Sequence, residues 1–206
     1  MLAAIILAAV IDICFILDTF VFVPKGVDKF SRQHILDGDK TGALTKALKM
    51  SCTKIKKGQV WRLVTQVFLH VGLAHIVFNT AALLIVGCAL GSTLGSGRML
   101  ACFFFSAFCS ACIMAFVFKF DDGEGASTGI YGMTATYLLM ALKERDLFFS
   151  PVPAVLIVLL LIYAVIGMLT NPIDRREHAG GFLGGIIFGI VFVYRQRQMC
   201  IRDKNS

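Results

Sequence analysis

The sequence predicts an all-α membrane protein with six transmembrane helices. Three observations carry that prediction. First, 57% of the 206 residues are apolar, 18 are Phe and only 16% are charged, with a mean hydropathy of +0.79. So much apolar surface does not fit inside one water-soluble core, which makes lipid the expected solvent. Second, six apolar runs occur, at 2–23, 66–91, 99–118, 127–142, 152–170 and 178–194. Third, polar, Gly-rich or Pro-containing breaks separate them, as turns between spans require. Six spans leave both termini on one side, and the chain reads as a single membrane domain over 1–206 with no internal repeat.

The first run, 2–23, is interrupted only by Asp12, Asp18 and Thr19. It is too long for a signal peptide, lacks a basic start and is followed by no small-residue cleavage site, so it reads as a span. Asp12 near its middle is costly in lipid and is expected to face other helices or water. Residues 24–60 form a polar first extramembrane loop. Its middle, about Thr41 to Met50, has helical periodicity suited to lying along the interface. Trp61-Arg62 closes the loop with an aromatic and a cation, the pair expected where a chain meets headgroups. The remaining runs complete a core over 61–194, and 195–206 is a polar tail.

Charge and cysteine usage exclude other classes. The net charge is +7, but ten of the twenty Lys and Arg residues fall between Lys25 and Arg62. That is one loop, better read as a membrane-surface or solvated segment than as a nucleic-acid site. The seven cysteines lie mostly inside apolar runs and form no disulfide framework. Cys109 and Cys112 have redox spacing but fall mid-span, where packing is the plainer reading.

Three stretches are candidates for chemistry. Gly125-Ala-Ser-Thr-Gly-Ile-Tyr-Gly132 follows the acidic residues Asp121, Asp122 and Glu124 and opens the fourth span. Ser127 there sits at a helix start, where free N–H groups and the dipole favour a developing negative charge. Ser127 and Tyr131 share one helical face, and Gly125, Gly129 and Gly132 share another that admits a neighbouring helix. The second span opens with His70, His75 and Asn79. On a continuous helix His75 and Asn79 share a face, with His70 about 140° away from His75. Metal ligation, polar contact between helices and donation to an oxyanion are the alternatives for this set, and the last fits best. The final span opens with His178, and Gly181, Gly185 and Gly189 continue its stripe. Packed against the fourth span, that stripe brings His178 to the depth of Ser127, where a histidine takes a serine proton. Taken singly, a histidine in the position of His178 is more often a packing residue than a base.

Together these residues resemble the rhomboid family of intramembrane serine proteases. The resemblance runs from Trp61 to about Gly189 and rests on Trp61-Arg62, His70…His75…Asn79, Gly125-Ala-Ser127, Tyr131, and His178 with Gly181 and Gly185. It implies a six-helix rhomboid-like bundle around a water-filled cavity open to one membrane face. It implies Ser127 as nucleophile, His178 as general base, and His75, Asn79 and the Ser127 N–H as oxyanion hole. Tyr131 would pack on the base, with His70, Trp61, Arg62, Gly181 and Gly185 as structural supports. Neither metal nor cofactor is implied. The partners are transmembrane protein substrates within a lipid bilayer, and the oligomeric state is left open.

Two departures stand out. Thr128 follows the serine where the family has Gly, and Ala89-Leu90-Gly91-Ser92 stands where the second span commonly carries a Glu. Neither removes a catalytic group, so an active enzyme is expected over a silent relative that binds or escorts clients. A small transporter built on Asp12 and the polar residues of span two would be favoured by an internal repeat. The resemblance turns the first loop outward or lumenally. That side then carries thirteen Lys and Arg residues against seven, opposite to the positive-inside tendency.

Overall fold

The structure, a computed structural model, describes residues 1–37, 42–170 and 172–193. The polar tail 195–206, Lys40 and Asn171 lie outside the described residues. All regular structure among them is helical.

Helix α1 (Leu2–Ile16) continues through a π-helical turn, Leu17–Val21. Ile5, Ile6, Val10 and Ile13 are exposed and Ala4, Leu7, Ala8 and Ile11 buried; apolar residues on every face suit a helix with lipid on one side and protein on the other. Asp12 accepts the Thr80 hydroxyl at 2.6 Å, so it faces another helix as expected. Asp18, at the end of the span, is buried and accepts the Thr45 hydroxyl at 2.5 Å and the Thr45 N–H at 3.3 Å. Thr45 belongs to α2 (Ala43–Leu48), the helical part of the expected 41–50 segment. Its buried contact with Asp18 docks α2 on the protein. Helices α3 (Cys52–Lys56) and α4 (Arg62–Thr65) complete the loop.

The second span differs from its prediction. A 3-10 turn, Gln66–Phe68, is followed by extended backbone at Leu69 (φ −105°, ψ 144°) and Val71 (φ −83°, ψ 113°). Helix α5 runs only from Gly72 to Leu94. His70 therefore lies on the extended segment and not on a helix, and the 140° separation from His75 does not apply. The predicted break at 91–97 shrinks to Gly95, whose φ of +85° is a conformation glycine adopts freely. Ser92 and Thr93 stay in the helix by bonding back to the Ala89 carbonyl. Helix α6 (Ser96–Cys112) continues through a π-helical turn to Val117.

Helix α7 (Ser127–Ala141) is central, and its residues from Ser127 to Tyr137 are all buried. Helices α8 (Arg145–Phe148), α9 (Pro151–Thr170) and α10 (Pro172–Phe188) follow, the last continued by a π-helical turn to Val193. Proline at the first position of α9 and α10 forfeits no hydrogen bond. Among the described residues three helices are long and apolar enough to span a membrane: Leu2–Val21, Gly72–Leu94 and Ser96–Val117.

In lipid, helices associate through close packing more than through apolar burial, so small residues mark the contacts. A Cβ on Gly129 would run into the Phe103 ring of α6, and one on Gly132 into Ser106. A Cβ on Gly181 of α10 would strike the Thr128 backbone and one on Gly185 the Gly132 backbone. Cβ atoms on Gly180 and Gly184 of α10 would in turn meet Ser110 and Ser106 of α6, so α6, α7 and α10 pack against one another. Gly129 meets α6 rather than the last span.

Candidate active site

Ser127 is the first residue of α7, and its side chain is buried. Helix α10 crosses α7 so closely at Gly181 and Gly185 that His178, one turn before Gly181, reaches the end of α7. Its Nε2 lies 3.0 Å from Ser127 Oγ, within hydrogen-bond distance. The Tyr131 ring stacks on the His178 ring with centroids 4.4 Å apart and planes 8° from parallel. That stacking fixes the imidazole plane. Ser110 of α6 holds the same end of α10 by donating its hydroxyl to the Glu177 carbonyl at 2.7 Å.

Gly125 stands before the helix, not on the helical face where it was expected. Its φ of +125° is open to glycine and strained for other residues. A Cβ there would lie 3.2 Å from His75 Nε2 and 3.7 Å from Ser127 Oγ. The absence of a side chain at residue 125 therefore keeps a space open between the serine hydroxyl and the His75 ring. Asn79 is buried one turn deeper on α5; its amide donates to the His75 carbonyl at 2.9 Å, and its Oδ1 has no partner among the described residues. An amide nitrogen carries two hydrogens, so one remains for another acceptor.

Of the expected supports, His70 is drawn to the same region, whereas the contacts of Trp61 and Arg62 lie within the first loop. His70 Nε2 accepts the Ala126 N–H at 3.2 Å, and its ring meets the His75 ring edge-on at 5.0 Å. The extended segment at 69–71 makes both contacts possible. Arg62 is buried, and donates to the Lys49 carbonyl at 2.6 Å, the Lys46 carbonyl at 2.7 Å and Gln59 Oε1 at 2.8 Å. It braces the first loop from inside, which corrects its reading as a headgroup-facing cation. Trp61 is half exposed and donates from Nε1 to the Ala47 carbonyl at 3.2 Å. Thr128 is buried, its hydroxyl without a partner among the described residues and its backbone against Gly181.

Sequence reasoning missed what holds the serine loop. Asp121 accepts from the Ser51 hydroxyl at 2.7 Å and from the Thr53 N–H and hydroxyl, both at 2.8 Å. The Thr53 N–H foremost, then the two hydroxyls, hold its carboxyl below the usual carboxylate range. Lys49 pairs with Asp122 at 2.5 Å and Glu124 at 3.6 Å. Partial burial works against its charge, but the two carboxylates outweigh that and raise its pKa. The signal was present as acidic residues before the serine and basic residues in the loop. Nothing in the sequence paired them.

A profile of the Rhomboid domain matches residues 57–195, more than half of the chain. This chain belongs to the rhomboid family. It is a multi-pass membrane protein. It is 38% identical over 131 residues to the Rhomboid protease GluP of Bacillus subtilis, a match covering 64% of this chain and 26% of GluP. RHOMBOID-like protein 1 of Arabidopsis thaliana is 26% identical over 192 residues, covering 92% of this chain and 48% of that protein. RHOMBOID-like protein 7 of the same plant is 27% identical over 164 residues, covering 79% and 52%. The chain thus spans about half or less of the length of these relatives, and the rhomboid match begins just before Trp61.

Proposed function

We propose that this rhomboid is an intramembrane serine endopeptidase that cleaves transmembrane segments of other proteins with a Ser127–His178 dyad. The observation that carries the reading is the 3.0 Å approach of His178 Nε2 to Ser127 Oγ under the stacked Tyr131 ring. A client-binding protein without catalysis has no use for that pairing, so cleavage is the better reading.

The chemistry is acyl transfer in two halves. Ser127 Oγ attacks the scissile carbonyl carbon while His178 Nε2 takes the hydroxyl proton. The oxyanion that forms lies at the start of α7, where the Ser127 N–H, His75 Nε2 and the second amide hydrogen of Asn79 are the candidate donors. Collapse breaks the C–N bond, and the leaving amine receives its proton from His178. Water then attacks the acyl-enzyme, giving its proton to His178. Expulsion of Ser127 Oγ, which takes that proton back, releases the carboxylic acid and regenerates the enzyme.

The membrane arrangement follows the same reading. Six spans formed by α1, α5, α6, α7, α9 and α10 put the first loop and Ser127 toward one face, through which water enters. Substrates are single-span proteins with small residues at the cut and a helix that unwinds easily. The test is cleavage of such a substrate in proteoliposomes by wild type, Ser127→Ala and Thr128→Ala. Loss with Ser127→Ala and retention with Thr128→Ala supports the dyad, whereas activity surviving in Ser127→Ala removes it.

A further inference from the structure

Seven consecutive residues lead into Ser127, and each is tied to the stretch between Lys49 and His70. The Phe120 carbonyl accepts from the Cys52 N–H at 3.1 Å, and the Gly123 carbonyl accepts from the Met50 N–H at 3.0 Å. The Gly125 N–H donates to the Gln66 carbonyl at 3.1 Å and the Ala126 N–H to His70 Nε2 at 3.2 Å. Asp122 and Glu124 share Lys49, and Asp121 takes three bonds from Ser51 and Thr53. The serine loop is therefore built on the first extramembrane segment.

Chemistry ranks the side-chain ties. The carboxylate of Asp122 is 66% exposed, and ion pairs of that kind contribute little; Glu124 is nearly buried but stands 3.6 Å from Lys49, beyond hydrogen-bond distance. Asp121 is exposed as well, but it collects three donors on one carboxylate from two residues, and charge-assisted bonds of this type are about twice as strong as neutral ones. Its donors stand at the start of α3: Ser51 at the N-cap, whose hydroxyl also accepts the Lys54 N–H at 3.3 Å, and Thr53 in the first turn. Beyond Asp121 the backbone is held again at 123, 125 and 126, so little slack separates this anchor from the serine.

We propose that Asp121 is a positioning residue for Ser127, fastening the nucleophile's loop to the first extramembrane segment through Ser51 and Thr53. The inference rests on the reading of Ser127 as nucleophile and adds a residue to its machinery. Displacement of the first segment is then transmitted along the loop to Ser127 and reaches the hydroxyl without any contact with substrate.

The test uses the full chain in proteoliposomes, with turnover expressed per site titrated by a serine-directed fluorophosphonate. Asp121→Ala is expected to lower kcat about tenfold, a displacement well under 1 Å sufficing for such a loss, with KM within about twofold of wild type. Thr53→Val is expected to give a smaller loss in the same direction. The double variant should be no worse than Asp121→Ala, because the two share their bonds. Asp121→Glu should restore part of the rate. Hydrogen exchange should quicken in the peptide covering 123–129 as well as at 51–54. A role limited to stability would lower the number of titratable sites and leave kcat per site unchanged, and that result overturns the proposal. So do additive losses in the double variant, or exchange changes confined to 51–54. If Asp121→Ala does not fold, Thr53→Val alone is judged by the same criteria. Wild-type protein without Ser127-dependent turnover would refute the nucleophile reading, while the exchange data at 123–129 would still decide whether Asp121 holds the loop.

Discussion

Gly185→Ala tests whether the spacing of two helices sets the reacting distance. Gly185 lies two turns beyond His178 on α10, and a Cβ there would stand 2.5 Å from both the carbonyl carbon and the Cα of Gly132. Both are backbone atoms of a buried helix, so no side chain can rotate aside. Carbon atoms in contact prefer about 3.5–4.0 Å, so α10 and α7 must part locally by about 1 Å. The His178–Ser127 separation of 3.0 Å has little margin before a hydrogen bond is lost at about 3.5 Å. The Thr136 hydroxyl, which donates to the Gly185 carbonyl at 2.8 Å, is stretched by the same movement. Overpacking of this kind costs about 1–3 kcal/mol of stability, and misplacing the base by about 1 Å costs about a hundredfold in turnover. The assay is initial cleavage rate in proteoliposomes per folded protein, with Gly97→Ala as the control. A Cβ at Gly97 meets nothing within 4 Å, so that variant should match wild type. Gly185→Ala with turnover within about threefold of wild type would show that the Gly185–Gly132 contact does not set the dyad distance.

Three further outcomes are expected. His75→Ala and Asn79→Ala should each lower turnover about 10²–10³-fold with the fold retained, the usual loss for one oxyanion donor; wild-type rates in both would reduce α5 to packing. The Asp121 carboxyl is held below the usual carboxylate range, with Lys56 a minor contributor. The stability it adds is therefore fully present above its ordinary pKa of about 3.9 and fades as pH falls below that value. Exchange protection at 51–54 should thus be flat from about pH 7 to pH 5 and drop only below about pH 4, and Asp121→Asn should abolish that drop. Cysteines at Lys57 and Asp122 should react with an impermeant reagent from one membrane face and a cysteine at Lys143 only from the other; reaction of all three from one face contradicts six spans.

Much of the site was legible because small residues and polar residues are both conspicuous in lipid. Ser127, Tyr131 and His178 announced themselves by helical spacing, and the Gly181–Gly185 stripe indicated which helices would touch. The His70–His75 contact was hidden, because it depends on the extended backbone at Leu69 and Val71 that no periodicity marks. Gly125 was misplaced for a related reason: a glycine just outside a helix looks the same in sequence as one just inside. Arg62 read as interfacial since its position resembles a headgroup anchor, yet three oxygen acceptors satisfy it inside the first loop. The ties from Asp121 to Ser51 and Thr53 link residues about seventy positions apart, and only the fold pairs them.

The central claim is that Ser127, activated by His178, is the nucleophile. Its most direct test is mass spectrometry of the protein after reaction with a fluorophosphonate probe, reading the peptide from Gly125 to Lys143. The dyad predicts one adduct, on Ser127, formed at full rate in wild type and in Thr128→Ala and abolished in His178→Ala. An adduct on Thr128, or labelling of Ser127 that is unchanged in His178→Ala, would contradict it.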